Sequence, residues 1–373
     1  MSPPHPRLSA SILSTVALAA AVLCSGCSSS SSGATPTSPH SATPTVANSS
    51  TVVPSQGCTN HPTTRLTNQQ ENVSVKGASR WYLLTTPAPT TPITTAAASR
   101  KAVPTTTGVA GPRPLVLDFH GLAEGAVVHS TTSQFGALGQ KDGFVVAFPN
   151  GTGSPVQWDT TDHSPTNPDL MFVSALLAQV ESSQCIDTSR VYASGFSDGS
   201  FMVSLLACTM SDRFAAIAAV SGLQLNPPCP TSRRVPIITF HGTADPILFF
   251  NGGVGTATLK QILGSGGSAE PSTTSTTRPV LLNGPGYPAT VREWATKNGC
   301  AGRPANREVA SKVLLRSYPC PKGTAVEFYI VIGGGHAWPG STFSESIRSI
   351  TGFTTFAINA TGLIWNFFQR FQL

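Results

Sequence analysis

A chain of 373 residues with 40% hydrophobic and 11% charged residues suits one large globular domain carrying low-charge appendages rich in Ser, Thr and Pro. The formal charge of +6 comes from scattered basic residues, with no run longer than Arg233-Arg234. That scatter excludes nucleic-acid binding and leaves at most a mild attraction to an anionic envelope.

At the N-terminus Arg7 precedes an apolar run from Ile12 to Leu23. The run is too short for a membrane span but fits a signal peptide, so residues 1–27 are expected to direct export. Leu23-Cys24-Ser25-Gly26-Cys27, followed by a serine run, resembles a bacterial lipobox, with Cys24 where Leu is usual. Cys27 is thus the expected lipid-bearing residue of an outward-facing membrane lipoprotein, a soluble secreted form being the alternative. The C-x-x-C of Cys24 and Cys27 lacks the βαβ context of a redox motif. Residues 28–56 hold almost no large apolar side chain and are expected to be a disordered linker, leaving 57–373 as the folded domain.

Within that domain Val73 to Leu84 reads as two strands around the Gly77-Ala78 turn, and Pro87 to Gly111 as a surface loop. Leu115 to Phe119 and Phe144 to Phe148 read as buried strands flanking a helix near Phe135 to Lys141. Val173, Leu176, Leu177 and Val180 at i, i+3, i+4 and i+7 mark a helix after Asp169. Arg190 to Ser194 is a strand, and Met202, Leu205 and Leu206 mark the following helix. Ala216–Val220, Val235–Phe240 and Val326–Ile332 supply further strands, and Leu363 to Phe371 a closing helix. The alternation predicts an α/β fold with a mostly parallel sheet covered by helices on both faces.

Six cysteines remain beyond Cys24 and Cys27, an even number that suits three disulfides in an exported chain. Proximity along the chain favours Cys208–Cys229 and Cys300–Cys320, leaving Cys58–Cys185 by elimination. Sequence alone permits other pairings.

Gly195-Phe196-Ser197-Asp198-Gly199 fits G-x-S-x-G, the turn that lifts a nucleophilic serine between a strand and a helix. The flanking β-rich and helical segments are the context this motif requires. A serine hydroxyl needs a base, and the base needs a carboxylate to fix its tautomer. His241 and His336 are the histidines downstream. His336 follows a glycine run after a late strand and is the expected base. Asp245, on the loop after His241, is the expected acid, and His241 is expected to brace that loop. The oxyanion is expected to meet the backbone N–H groups of Leu122 and Asp198. No cofactor or metal is expected.

Leu117-Asp118-Phe119-His120-Gly121, the elbow, His241-Gly242-Thr243-Ala244-Asp245 and Gly333-Gly334-Gly335-His336-Ala337-Trp338-Pro339-Gly340 together resemble the polyhydroxybutyrate depolymerase and feruloyl esterase family of α/β-hydrolases, including mycobacterial esterase lipoproteins. The resemblance covers roughly residues 57–373. It implies an α/β-hydrolase fold and a secreted serine ester hydrolase with the triad Ser197, Asp245 and His336. Its substrates would be feruloyl, acetyl or short hydroxyalkanoate esters, on plant or cell-wall polysaccharide or on polyester. Polyhydroxybutyrate depolymerase activity is one alternative, and a catalytically silent surface binding protein another. Trp338 would line the acyl site, and His120 is a second candidate for substrate contact. Two departures stand out: the elbow usually reads Ser-Asn-Gly-Gly, whereas Asp198 places a carboxylate beside the nucleophile. Residues 254–286 look like an inserted lid or a disordered segment.

Overall fold

The computed structural model describes residues 51–59, 65–88, 111–230, 233–263 and 279–373. The expected signal segment, Cys27, the expected linker up to residue 50, nearly all of the expected Pro87–Gly111 loop and residues 264–278 lie outside them.

Strands β1 (Gln69–Val75) and β2 (Ala78–Thr85) form a hairpin, followed by β3 (Arg113–Phe119), α1 (Gly125–Ser133), α2 (Phe135–Asp142) and β4 (Val145–Pro149). Helix α3 (Pro168–Ser183), β5 (Ile186–Phe196), α4 (Asp198–Thr209), β6 (Ala216–Val220) and β7 (Ile237–Gly242) continue the alternation. The remainder comprises α5 (Thr256–Ile262), α6 (Tyr287–Lys297), β8 (Ala305–Ala310), β9 (Val313–Ser317), β10 (Val326–Val331), α7 (Thr342–Ser346), α8 (Arg348–Thr351) and α9 (Ala360–Phe368).

All ten strands join one sheet in the order β1-β2-β4-β3-β5-β6-β7-β10-β9-β8. The central run from β4 to β10 is parallel, and the hairpins at both edges are antiparallel. Successive strand residues alternate between two core layers, as a pleated sheet buried on both faces demands. Leu115, Leu117, Ile217 and Ala219 face the layer built on Leu176, Leu206 and Trp294. Val116, Ala218 and Val220 face the opposite layer, built on Phe135, Trp365 and Phe368. Helix α3 starts where Asn167 caps it, accepting from the N–H groups of Asp169 and Leu170 with Pro168 in the first turn, an N-terminal arrangement worth about 1 kcal/mol. Its predicted stripe of Val173, Leu176, Leu177 and Val180 is buried throughout.

Some expectations change. Ordered chain begins before Cys58: Val53 N–H donates to Asp187 Oδ1 at 3.0 Å, and Ser55 N–H donates to Ile186 O at 2.8 Å, so the linker stops short of residue 56. Of the 254–286 segment, residues 254–263 and 279–286 are described. Residues 256–262 form α5, and the Asn251 side chain clamps Leu281 through both its N–H and its carbonyl. Helix α1 and the β8–β9 hairpin had no sequence signal. Strand β8 is exposed on both faces over Ala305–Glu308, with the charged Arg307 and Glu308 on opposite faces, which suits an edge strand that must not recruit another chain. The three disulfides join Cys58 to Cys185, Cys208 to Cys229 and Cys300 to Cys320.

Candidate active site

Ser197 sits between β5 and α4 with φ 53° and ψ −116°. A non-glycine residue in this region is strained, at a cost of about 1–3 kcal/mol that the surroundings must offset. They do so by closing on the turn from both sides: Ser197 N–H donates to Val220 O, and Ser197 O accepts from Ser200 N–H, both at 2.9 Å. The motif glycines make that closure possible. A Cβ on Gly195 would lie 2.2 Å from Gly199 O, and one on Gly199 would lie 2.1 Å from Phe119 O.

Asp245 and His336 arrive on the loops that follow β7 and β10, parallel neighbours in the sheet. His336 Nδ1 lies 2.8 Å from Asp245 Oδ2, and both side chains are buried. The other carboxylate oxygen accepts from the N–H groups of Ile247 and Leu248. Burial opposes ionisation of Asp245, but the imidazole and these amides outweigh it and hold the pKa below the ordinary carboxylate value. An ionised carboxylate accepts only, so the shared proton resides on Nδ1 and leaves Nε2 with its lone pair. The glycines before His336 let its loop pack on a neighbour: a Cβ on Gly335 would meet Thr351 O at 2.2 Å, and His336 N–H donates to that same oxygen.

His241 braces the acid loop as expected, its Nε2 lying 2.8 Å from Leu248 O; burial lowers its pKa. Among the described residues no hydrogen bond joins Ser197 Oγ to His336. Elbow and base loop touch instead through the ring of Phe196, 5.0 Å from that of His336, while Ser221 Oγ, just after β6, donates to Ala337 O at 3.2 Å. Serine–base bonds in ligand-free sites are often long and tighten with substrate.

The loop after β3 lies against the elbow, since a Cβ on Gly121 would be 3.4 Å from Ser197 Cβ. Neither Leu122 N–H nor Asp198 N–H has a hydrogen-bond partner among the described residues. The two expected substrate contacts, His120 and Trp338, are both buried. His120 is fully buried with both ring nitrogens engaged, Nδ1 with Gly121 O and Nε2 with Gly151 N–H. Burial drives its pKa down to about 4, so it is a neutral strut of the loop. Trp338 is 1% exposed, its indole N–H donates to Thr361 Oγ1, and its ring is wedged between Phe135 and Phe196. It packs behind the base.

Sequence reasoning missed Trp158, whose backbone N–H donates to Asp198 Oδ2 at 2.9 Å and whose indole donates to His120 O. It also missed Glu124 and His129, which sit behind the loop after β3. Neither lies in a recognisable motif. Their partners are brought together only by the packing of α1.

A family model described as Phospholipase/Carboxylesterase matches residues 166–265, a span that holds both Ser197 and Asp245. Feruloyl esterase B of Piromyces equi is 28% identical over 60% of this chain, and the chain spans 39% of that relative's length. The provisionally assigned esterase NocK of Nocardia uniformis subsp. tsuyamanensis is 29% identical over 62% of the chain and 67% of its own length. The solved structure of an acetyl xylan esterase from Aspergillus awamori aligns with a TM-score of 0.50 at 14% identity, covering 77% of this chain and 100% of the other, a likeness of fold alone. With an elbow serine between β5 and α4 and a mostly parallel sheet carrying the Asp245 and His336 loops, the chain has the α/β-hydrolase fold and is similar to esterases over part of its length.

Proposed function

We propose that the protein is a serine hydrolase of carboxylic esters, with Ser197 as nucleophile, His336 as general base and Asp245 as the acid that orients it. The reading is carried by the 2.8 Å bond between His336 and Asp245 on loops flanking a serine held at φ 53°. Ser197 Oγ attacks the ester carbonyl while its proton passes to His336 Nε2, and the carbonyl oxygen becomes an oxyanion held by the N–H groups of Leu122 and Asp198. Collapse of this intermediate breaks the bond to the alcohol, which leaves with the proton from His336. Water, deprotonated by the same nitrogen, then attacks the acyl-serine and releases the acid.

For the acyl group we favour hydroxycinnamoyl or acetyl esters of plant cell-wall polysaccharide, in keeping with the name of the Piromyces relative. Phe249, 41% exposed, follows Asp245 on the acid loop, and Phe353, 43% exposed, follows α8 and lies against the base loop. Phe353 O accepts from Gly335 N–H beside the base. Exposed aromatics so placed suit an aromatic or apolar acyl moiety. The three disulfides favour an oxidising compartment and hence export. Attachment through Cys27 rests on the sequence around that residue.

The test is hydrolysis of short p-nitrophenyl esters by the purified protein, followed by a panel of feruloyl, acetyl and hydroxybutyrate esters. Ser197→Ala should lower the rate by at least about a thousandfold with an unchanged circular dichroism spectrum. Equal rates for the variant and its parent would falsify the assignment.

A further inference from the structure

The four amides of the turn after β3 are not equivalent. Gly121 N–H donates to Glu124 Oε2 at 2.7 Å. Ala123 N–H donates to Val156 O at 2.8 Å, and Glu124 N–H donates to Gly121 O at 3.1 Å. Leu122 N–H is therefore the amide of this turn left without a partner among the described residues. It belongs to the loop that abuts Ser197. Leu122 is half-buried, and an amide left without a protein partner beside a nucleophile is available to a charge that exists only during reaction.

The carboxylate that takes up Gly121 N–H is itself held from behind. Its Oε1 accepts from Thr132 Oγ1 at 2.6 Å, and its Oε2 lies 3.1 Å from His129 Nδ1. The far nitrogen of His129 is 3.1 Å from Asp118 Oδ2, at the end of β3, though misaligned for a linear hydrogen bond. His129 and Asp118 are fully buried. Burial works against charge on the imidazole, but the two carboxylates outweigh it and push the pKa up to about 10, while Glu124 stays below its ordinary value. Asp118 and Glu124 thus share one cation. Without it, two carboxylates would crowd one dry site and one would take up a proton. A protonated Glu124 would offer one acceptor fewer to Gly121 and Thr132.

We infer that Glu124 is a positioning residue for catalysis: held from behind by His129 and Thr132, it fixes the 121–124 turn so that Leu122 N–H faces the developing oxyanion. This rests on the proposed ester hydrolysis at Ser197 and deepens it. Glu124 touches no reacting atom, so its effect should fall on the transition state and not on substrate binding.

The experiment compares the parent with Glu124→Gln and with the milder Thr132→Val, which removes one hydroxyl contact and keeps the shape. Each is assayed with p-nitrophenyl butyrate and with an alkyl trifluoromethyl ketone, which adds to the serine and presents an oxyanion. Glu124→Gln should lower kcat by about ten- to a hundredfold and weaken the ketone by a matching factor. KM should stay within about twofold, and Thr132→Val should show the same pattern more weakly, about threefold in kcat. Folded variants with parental kcat and ketone affinity would overturn the inference while leaving the ester-hydrolase reading intact. A change confined to KM or to melting temperature would overturn it too. If Glu124→Gln does not fold, Thr132→Val decides. A parent that is inert, or a Ser197→Ala variant that is not, would sink the reading of the site itself.

Discussion

Asp198 bears the cost of its place in the elbow. Burial, aided by the nearby charge of Asp169 and only partly offset by Trp158 N–H, pushes its pKa up to about 6. In the unfolded chain the group titrates near about 4. The fold therefore favours the neutral acid: its contribution to stability is complete below about pH 4 and is lost as the pH rises through about 6. Asparagine, the residue usual here in the resembled family, keeps the oxygen that accepts from Trp158 and removes the ionisable proton. Asp198→Asn should accordingly stabilise the protein by on the order of 2 kcal/mol at about pH 7.5 and by nothing at about pH 4. Urea denaturation at the two pH values measures this, and a gain of equal size at both would show that desolvation of the carboxylate is not the cause.

At the scale of elements, the strand–turn–helix unit works because two backbones pass within the radius of a methyl group. Gly199 is the sharpest instance, because Phe119 and His120 oxygens crowd the space where its side chain would be. Gly199→Ala should cost about 3 kcal/mol and remove esterase activity, since relief of the clash moves β3 or the elbow. Gly362, inside α9, is its counterpart: a Cβ there meets nothing nearer than Asn359 Oδ1 at 3.4 Å. Gly362→Ala should leave activity alone and stabilise by about 0.5–1 kcal/mol through helix propensity. Thermal melts with parallel rate assays separate the two, and comparable losses from both would refute the steric account. The elbow could be read in the sequence because its glycines and serine are adjacent in the chain. Helix α1 was invisible to the same reading: Val127, Val128, Thr131 and Thr132 give a β-branched stretch with no apolar period, and packing against β4 and α7 overrides that propensity.

Across the whole molecule, the Cys58–Cys185 bridge fastens the first described residues to the start of β5 over a separation of 127 residues, against 21 for Cys208–Cys229. In the loop-entropy account, deleting the long-range bridge should cost about 5 kcal/mol and deleting the short one about 3 kcal/mol. Double alanine replacements at each pair, compared by guanidinium denaturation, check the order. A larger loss from the short bridge would mean that local packing outweighs chain entropy. The pairing itself followed from spacing for the two short loops, and elimination supplied the third.

By itself the sequence determined the strand–helix alternation, the elbow, and the order of serine, acid and histidine, because each rests on neighbouring residues and a repeating apolar period. Only the tertiary structure decided that His120 and Trp338 are buried with their ring nitrogens engaged within the protein, and that Glu124, His129 and Asp118 form one charge cluster. Those roles depend on which distant atoms fill a side chain's hydrogen-bonding positions, and folding brings such atoms together across segments whose sequences carry no mark of one another.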